Sequence, residues 1–331
     1  MFKFHLFKLI LPALLISSSW AQADVSFSRV FVFGDSLSDT GNLASIVGDL
    51  PSPYFMNRIS NGPVAVEKLA ARLGLTAQAS LHMIWPEEGS NYAIAGANAS
   101  GIEPIDLTAQ IIGFQANHAT APADALYVIL IGGNDIRDAR NETNPFIARS
   151  KVKAAAKKVR YAIKSLSRAG AHSFLLISAP NIGLIPDTRL IATATNDPEL
   201  IERARKLSSL YQSELQKAAR HLRYTSSINI IEFSLFDFFN DLVEQADQYG
   251  FSNTTDACFN SAESTFHPDC NFGSNFDQFI FFDEIHPTTR VHALVGDALY
   301  DEILNDTKEI WVGWYYLDKL KTLLYPSYTS F

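Results

Sequence analysis

A chain of 331 residues with 47% hydrophobic and 19% charged residues and a formal net charge of −8 holds ample apolar material for a full core, which excludes a disordered or low-complexity protein. A pI near 5.5 with no basic run argues against nucleic acid as a partner. Two cysteines exclude a disulfide-rich scaffold and any multi-cysteine metal cluster.

In chain order, residues 1–23 read first, as a secretory signal. Lys3 and Lys8 give a positive start, Leu9 to Ile16 is an apolar run broken only by Pro12, and Ala21-Gln22-Ala23 is a small-x-small site with cleavage expected before Asp24. The run is well short of the roughly 20 residues that span a bilayer, and no cysteine follows it to carry a lipid. The mature chain, residues 24–331, is expected to be a single soluble, exported domain. Without Lys3 and Lys8 it has 25 basic against 35 acidic residues, an excess that offers no steering toward anionic membranes.

Four short apolar segments read as buried strands: Arg29 to Phe33, Leu126 to Ile131, Ser173 to Ser178 and Ile228 to Phe233. Near-continuous apolar runs, rather than alternating ones, suit parallel strands covered on both faces. Pro145 to Arg168 reads as a helix with Lys and Arg on one side and apolar residues at helical spacing on the other. A second helix opens with Asp197 as N-cap and Pro198 in the first position, running to about Arg223, and a last core helix runs from Pro287 to about Leu304. Strands separated by helices predict an α/β fold, a three-layer α/β/α sandwich around a doubly wound, mainly parallel sheet. In such a sheet the site lies at the carboxyl ends of the strands.

Ser36 stands two residues past the first strand, in Gly34-Asp35-Ser36-Leu37-Ser38-Asp39-Thr40-Gly41-Asn42. It reads either as a nucleophile at the edge of the sheet or as a cap for the next helix. The G-x-S-x-G elbow does not fit, since Ser38 occupies the place of the second glycine. A serine needs a base, and among the histidines only His286 has an aspartate three residues before it, Asp283. One turn can bring that carboxylate to the imidazole, and Pro287 is expected to start a helix that anchors the turn. His267 is also followed by proline, but residue 264 is a serine. An oxyanion hole could draw on the Asn134 side chain in Gly132-Gly133-Asn134-Asp135 and on the Gly96 amide, though the first also reads as a turn residue and the second as a flexible loop position.

These segments, in this order, resemble the blocks of the GDSL, or SGNH, family of serine esterases and lipases, over about Val30 to Leu304. Asn57-Arg58-Ile59-Ser60-Asn61-Gly62-Pro63 is similar to a segment of its secreted bacterial lipase-like branch. The resemblance implies a flavodoxin-like fold, Ser36 as nucleophile, Asp283 and His286 completing the triad, and an oxyanion hole from the amides of Ser36 and Gly96 with the Asn134 side chain. Ala95 departs from the branch, which carries a glycine there. No cofactor is implied. The expected activity is a secreted lysophospholipase or phospholipase A, exported through the periplasm to the extracellular space, acting on lipid esters and able to pass the acyl group to an alcohol acceptor. Acidity favours single-chain or zwitterionic lipids over anionic bilayers. The alternatives are a short-chain, choline-ester or carbohydrate acetyl esterase, and a non-catalytic exported binding protein on the same fold.

Cys258 and Cys270 are expected to pair in an exported protein, beside the active site and with a bearing on activity; a metal site of Cys258, His267, Asp269 and Cys270 is the competing reading. The aromatic C-terminal extension, residues 307–331, reads as a helix packed on the core or as a peripheral membrane contact.

Overall fold

The computed structural model describes residues 26–84 and 86–324, with side chains on the last helix as far as residue 306. The secretory-signal reading of residues 1–23 therefore lies outside the described residues. From the N-terminus the elements are β1 (Val30–Gly34), α1 (Asn42–Val47), α2 (Ala65–Arg72), α3 (Leu107–Asn117), β2 (Leu126–Leu130), α4 (Gly133–Arg140), α5 (Pro145–Ala169) and β3 (Ser173–Ile177). They continue through α6 (Pro186–Ala194), α7 (Leu200–Thr225), β4 (Asn229–Phe233) and α8 (Leu235–Glu244) to β5 (Asn253–Ala257), β6 (Phe259–Asn260), β7 (Thr265–Phe266), β8 (Phe279–Phe281) and α9 (Thr289–Leu324).

The first four strands form one parallel sheet in the order β1-β2-β3-β4, with Val32, Val128, Leu175 and Ile231 in register across it. β1 and β2 are buried at every residue, which is why their sequences do not alternate. Beyond β1 the chain adds a short edge that the sequence does not announce. Val32 donates to Ser90 O at 3.1 Å, Tyr92 to Val32 O at 2.7 Å and Ile94 to Gly34 O at 3.2 Å. The chain thus passes to one side of β1, then crosses back to β2, so crossovers cover both faces and the sheet is doubly wound. α2 packs on α9, and α3 and α7 on α5.

Two helix starts differ from expectation. α7 begins at Leu200, because Asp197 closes a turn of its own: its carboxylate accepts from Glu199 N at 3.2 Å and pairs with Arg203 at 2.6 Å. α9 begins at Thr289, because Pro287 bridges antiparallel to Phe281. α9 runs on to Leu324, so part of the aromatic extension is helical; its side chains and residues 325–331 lie outside the described residues. Cys258 and Cys270 form a disulfide with Cα atoms 5.4 Å apart, within a small apolar cluster containing Phe279. Both sulfurs are committed to that bond, which overturns the metal-site reading. Among the described residues no helix is long and apolar enough to cross a membrane.

Candidate active site

The turn after β1 is held by crowding and by amide pairing. A Cβ on Gly34 would lie 2.4 Å from Leu130 O, so glycine is required here by the close approach of β2 rather than by a left-handed turn. Gln110 fastens the same residue on both sides, accepting from Gly34 N at 2.9 Å and donating to Gly34 O at 2.8 Å. Ser36 follows in a tight turn in which Ser38 N and Asp39 N both reach Asp35 O at 3.0 Å. Ser36 does not cap α1. That end is served by Asp39, which accepts from Gly41, Asn42 and Leu43 at 2.8, 2.7 and 3.0 Å.

Across the sheet edge, Ser36 Oγ lies 2.8 Å from His286 Nε2, and His286 Nδ1 lies 2.8 and 2.9 Å from the two oxygens of Asp283. A carboxylate only accepts, so Nδ1 carries the proton and Nε2 presents its lone pair to the serine hydroxyl. Asp283 is itself fixed, accepting from Ile285 N at 2.8 Å and His286 N at 2.7 Å. Tyr54 faces the same carboxylate; burial first, then the charges of Asp283 and Glu284, hold its phenol far above its usual range, so it stays a neutral donor.

The turn bearing Asp283 and His286 is the tip of a short hairpin: Phe282 donates to His286 O at 2.8 Å and Thr288 to Ile280 O at 2.9 Å. The segment from Asn57 to Pro63 braces it. Ser60 Oγ donates to Pro287 O at 2.9 Å, Asn61 Oδ1 accepts from Thr289 N at 2.9 Å, and Thr289 Oγ1 donates to Pro63 O at 2.9 Å.

Asn134 sits in the first turn of α4, after Gly132 at φ +113°. Its Nδ2 donates to Ala97 O at 2.9 Å while Arg137 donates to its Oδ1 at 3.3 Å, so the amide is oriented from both ends and one Nδ2 hydrogen is left over. Gly96 is exposed, with φ +88°. The amide of Ala95 is committed to Asp39 at 2.8 Å, so the alanine at 95 leaves the Gly96 amide untouched. Asp135 ties the Gly96 loop to α4, accepting from Ala99 N at 2.7 Å and from the Ser100 amide and hydroxyl at 2.9 and 2.6 Å.

Ser36, Asn134 and His286 line one cleft of about 400 Å³, open solvent included; its remaining wall is largely apolar, with Leu37, Pro180, Ile182, Ile185, Phe239 and Ile285. Gly96 is not on that wall. Two further polar groups on it escaped the sequence reading: Asp35, buried beneath the serine, and Arg137, which meets Asp187 at 3.2 Å. Asp35 lies inside the motif quoted for Ser36, and Arg137 stands one helical turn beyond Asn134, where an i,i+3 reading of α4 would have found it. Burial pushes Asp35 up to about 6, with Asp135 adding to it and the Leu37 amide, His286 and the Gly132 amide opposing. The other candidate bases lie elsewhere. His292 is buried, pulled down to about 3 by desolvation and held by Ala65 N at 3.2 Å, and His267 caps a short turn through Asp269 N at 3.2 Å.

A profile described as GDSL-like Lipase/Acylhydrolase matches residues 30–299. Among curated proteins the chain is similar to a phosphatidylcholine-sterol acyltransferase of Aeromonas hydrophila, at 27% identity over 88% of this chain and 94% of that one. It is also similar to a thermolabile hemolysin of Vibrio parahaemolyticus, at 26% identity over 87% of this chain and 67% of that one. A similar solved structure is an acetylxylan esterase from Geobacillus stearothermophilus, at 14% identity with a TM-score of 0.43, covering 85% of this chain and 96% of that one.

Proposed function

The chain belongs to the GDSL-like lipase/acylhydrolase family and is a carboxylic ester hydrolase, and from that premise we propose that it is an exported lysophospholipase or phospholipase A with Ser36 as nucleophile. His286 Nε2 takes the hydroxyl proton as Oγ attacks the ester carbonyl, and Asp283 stabilises the imidazolium that results. The Asn134 amide and the backbone amides of Ser36 and Gly96 receive the oxyanion, each donor contributing about 3–4 kcal/mol. The imidazolium then protonates the departing alcohol, leaving an acyl-enzyme. Water, deprotonated by His286, releases the fatty acid, and an alcohol acceptor in its place would receive the acyl group.

The lipid assignment rests on the wall of the cleft. Six apolar side chains beside Ser36 suit a hydrocarbon chain better than a sugar, which needs convergent polar groups. A chain-length series of esters, run with monoacyl and diacyl phospholipids, tests it: turnover should rise from acetyl to long acyl chains and be highest on monoacyl phospholipid. Preference for acetyl esters would defeat the lipid reading. Ser36→Ala should abolish turnover and fluorophosphonate labelling without changing thermal unfolding, and residual turnover of more than a small fraction would defeat the nucleophile assignment.

A further inference from the structure

The outer faces of α5 and α7 carry the opposite sign to the protein as a whole. These two helices hold fourteen Lys and Arg against two Glu, leaving thirteen basic against thirty-three acidic residues in the rest of the chain. α5 contains no acidic residue, and Arg149, Lys151, Lys153, Lys157, Lys164 and Arg168 are all exposed on it. Nearby carboxylates are already engaged: Glu142 with Lys151 and Glu214 with Lys217, both at 2.8 Å, and Glu232 with Arg223 at 2.6 Å. Lys153, Lys157 and Lys164 have no ion pair among the described residues. A shallow groove of about 630 Å³, open solvent included, between the two helices is lined by Lys153, Lys157, Arg160 and Lys217, with Glu214, the partner of Lys217, as its one acidic residue.

Nothing in the packing of α5 asks for this. Its buried side is Ala148, Val152, Ala155, Ala156, Val159, Ile163 and Leu166, which is enough to seat it on the sheet. Lys153 with Lys157, Arg160 with Lys164 and Lys164 with Arg168 are like-charge neighbours four residues apart, which oppose helix formation. The cations of its N-terminal half also oppose the helix dipole. Folding tolerates a local conflict of this kind where function uses it. At the N-terminal end of the same helix, Phe146 is 83% and Ile147 46% exposed. α5 leads from the carboxyl end of β2, by way of α4, back to the amino end of β3, so Phe146 and Ile147 stand at the end of the helix that lies toward the carboxyl edge of the sheet. α4, which bears Asn134 and Arg137, packs against both α5 and α7.

We propose that the α5–α7 face docks the protein on a membrane surface rich in anionic phospholipid, with Phe146 and Ile147 entering the interface and the cleft brought to its substrate. This rests on the lipid-ester reading of the cleft. It also reverses the expectation drawn from net charge: a total of −8 averages over faces, whereas adsorption is decided within about one Debye length of the contact. A nucleic-acid duplex shares the phosphate chemistry, but it offers no hydrocarbon to the two exposed apolar side chains.

The test is co-sedimentation of the full chain with vesicles of phosphatidylcholine alone and of an equimolar mixture with phosphatidylglycerol. Binding should be at least about tenfold tighter to the mixture and weaken as salt is raised. The triple variant Lys153→Glu, Lys157→Glu, Lys164→Glu should lose on the order of a hundredfold, at about fivefold or more for each charge, whereas the matching Lys→Arg triple keeps its binding. Equal binding to both vesicles, salt-independent binding, or a triple variant that binds like the parent would overturn the proposal, as would binding to duplex DNA as tight as to the mixed vesicles. The salt series on the unsubstituted chain carries the test if the triple variant folds poorly. Hydrolysis of dispersed monoacyl phospholipid, measured in parallel, separates the two readings: hydrolysis without vesicle binding removes the docking face alone, and vesicle binding without hydrolysis supports the docking face while removing the proposed function.

Discussion

Replacing Asp35 with Asn probes the trade between stability and chemistry beneath the serine. The carboxyl is buried, accepts from Leu37 N at 3.1 Å and is raised from 3.8 to about 6, chiefly by burial. The folded state therefore holds this proton more tightly than the unfolded state. Its contribution to stability is fully present below the unfolded value near 3.8 and is lost as pH rises through about 6. Roughly two pKa units at 1.36 kcal/mol each make that loss about 3 kcal/mol. An asparagine has no such loss. It does bring a misfit, because its NH₂ group must share a site built from N–H donors, but that misfit is the same at every pH. The informative quantity is thus the change with pH in the stability difference between variant and parent. Unfolding both chains at pH 4 and pH 8 should show the variant gaining about 2.5 kcal/mol on the parent, since a small part of the loss has already occurred by pH 4, or roughly 4 °C in Tm. Parallel stability profiles would refute the burial argument, and a variant that loses ground as pH rises would reverse its sign.

Asn134→Ala should lower kcat by about 10²–10³ with little change in KM, since the amide is needed only as the oxyanion forms. Arg137→Ala should lower kcat in the parent but add nothing to Asn134→Ala, because its guanidinium acts by orienting that amide; additive losses in the double-mutant cycle would place its action elsewhere. Removing the disulfide with Cys258→Ser and Cys270→Ser should lower stability by about 3 kcal/mol, for the loop of twelve residues it closes, as read from thermal unfolding. Gly34→Ala should destabilise by about 1–3 kcal/mol or more, since its Cβ would meet a backbone oxygen that can move only with β2, and a melting curve like the parent's would contradict the crowding argument.

The strands were legible because burial on both faces leaves a sequence no option but a continuous apolar run, as in Leu126 to Leu130. α5 was legible in its span, Pro145 to Arg168, from its apolar spacing; its ends are set by Asn144, which accepts from Phe146 N at 2.9 Å, and by Gly170. The edge at Ser90 to Ile94 was not, because it is made of three backbone hydrogen bonds and carries no periodicity. Within the site, the contact of His286 with Asp283 is local, three residues apart, so a spacing could suggest it. Its contact with Ser36 spans 250 residues and depends on the whole sheet. The supporting carboxylates are harder still. Asp39 meets Ala95 across 56 residues and Asp135 meets Ala99 across 36, and in sequence each is one more acidic residue in a loop.

What aligns the separate loops to hydrogen-bonding precision is a set of close approaches that side chains would prevent. β1 and β2 come together where Gly34 leaves room for Leu130 O, so the serine turn and the start of α4 share one edge. The His286 turn comes against the Asn57 to Pro63 segment where a Cβ on Gly62 would lie 2.6 Å from Thr289 Oγ1. Both glycines were visible in the sequence, and Gly34 reads there as turn-making. Neither has a positive φ; each marks a place where two distant parts of the site must touch. Since a 1 Å displacement of a reacting group can cost about a hundredfold in rate, a methyl group at either position should reduce turnover even in chains that still fold. The loss should then appear in kcat for every ester, because it moves the serine relative to its base and not the acyl chain relative to the cleft.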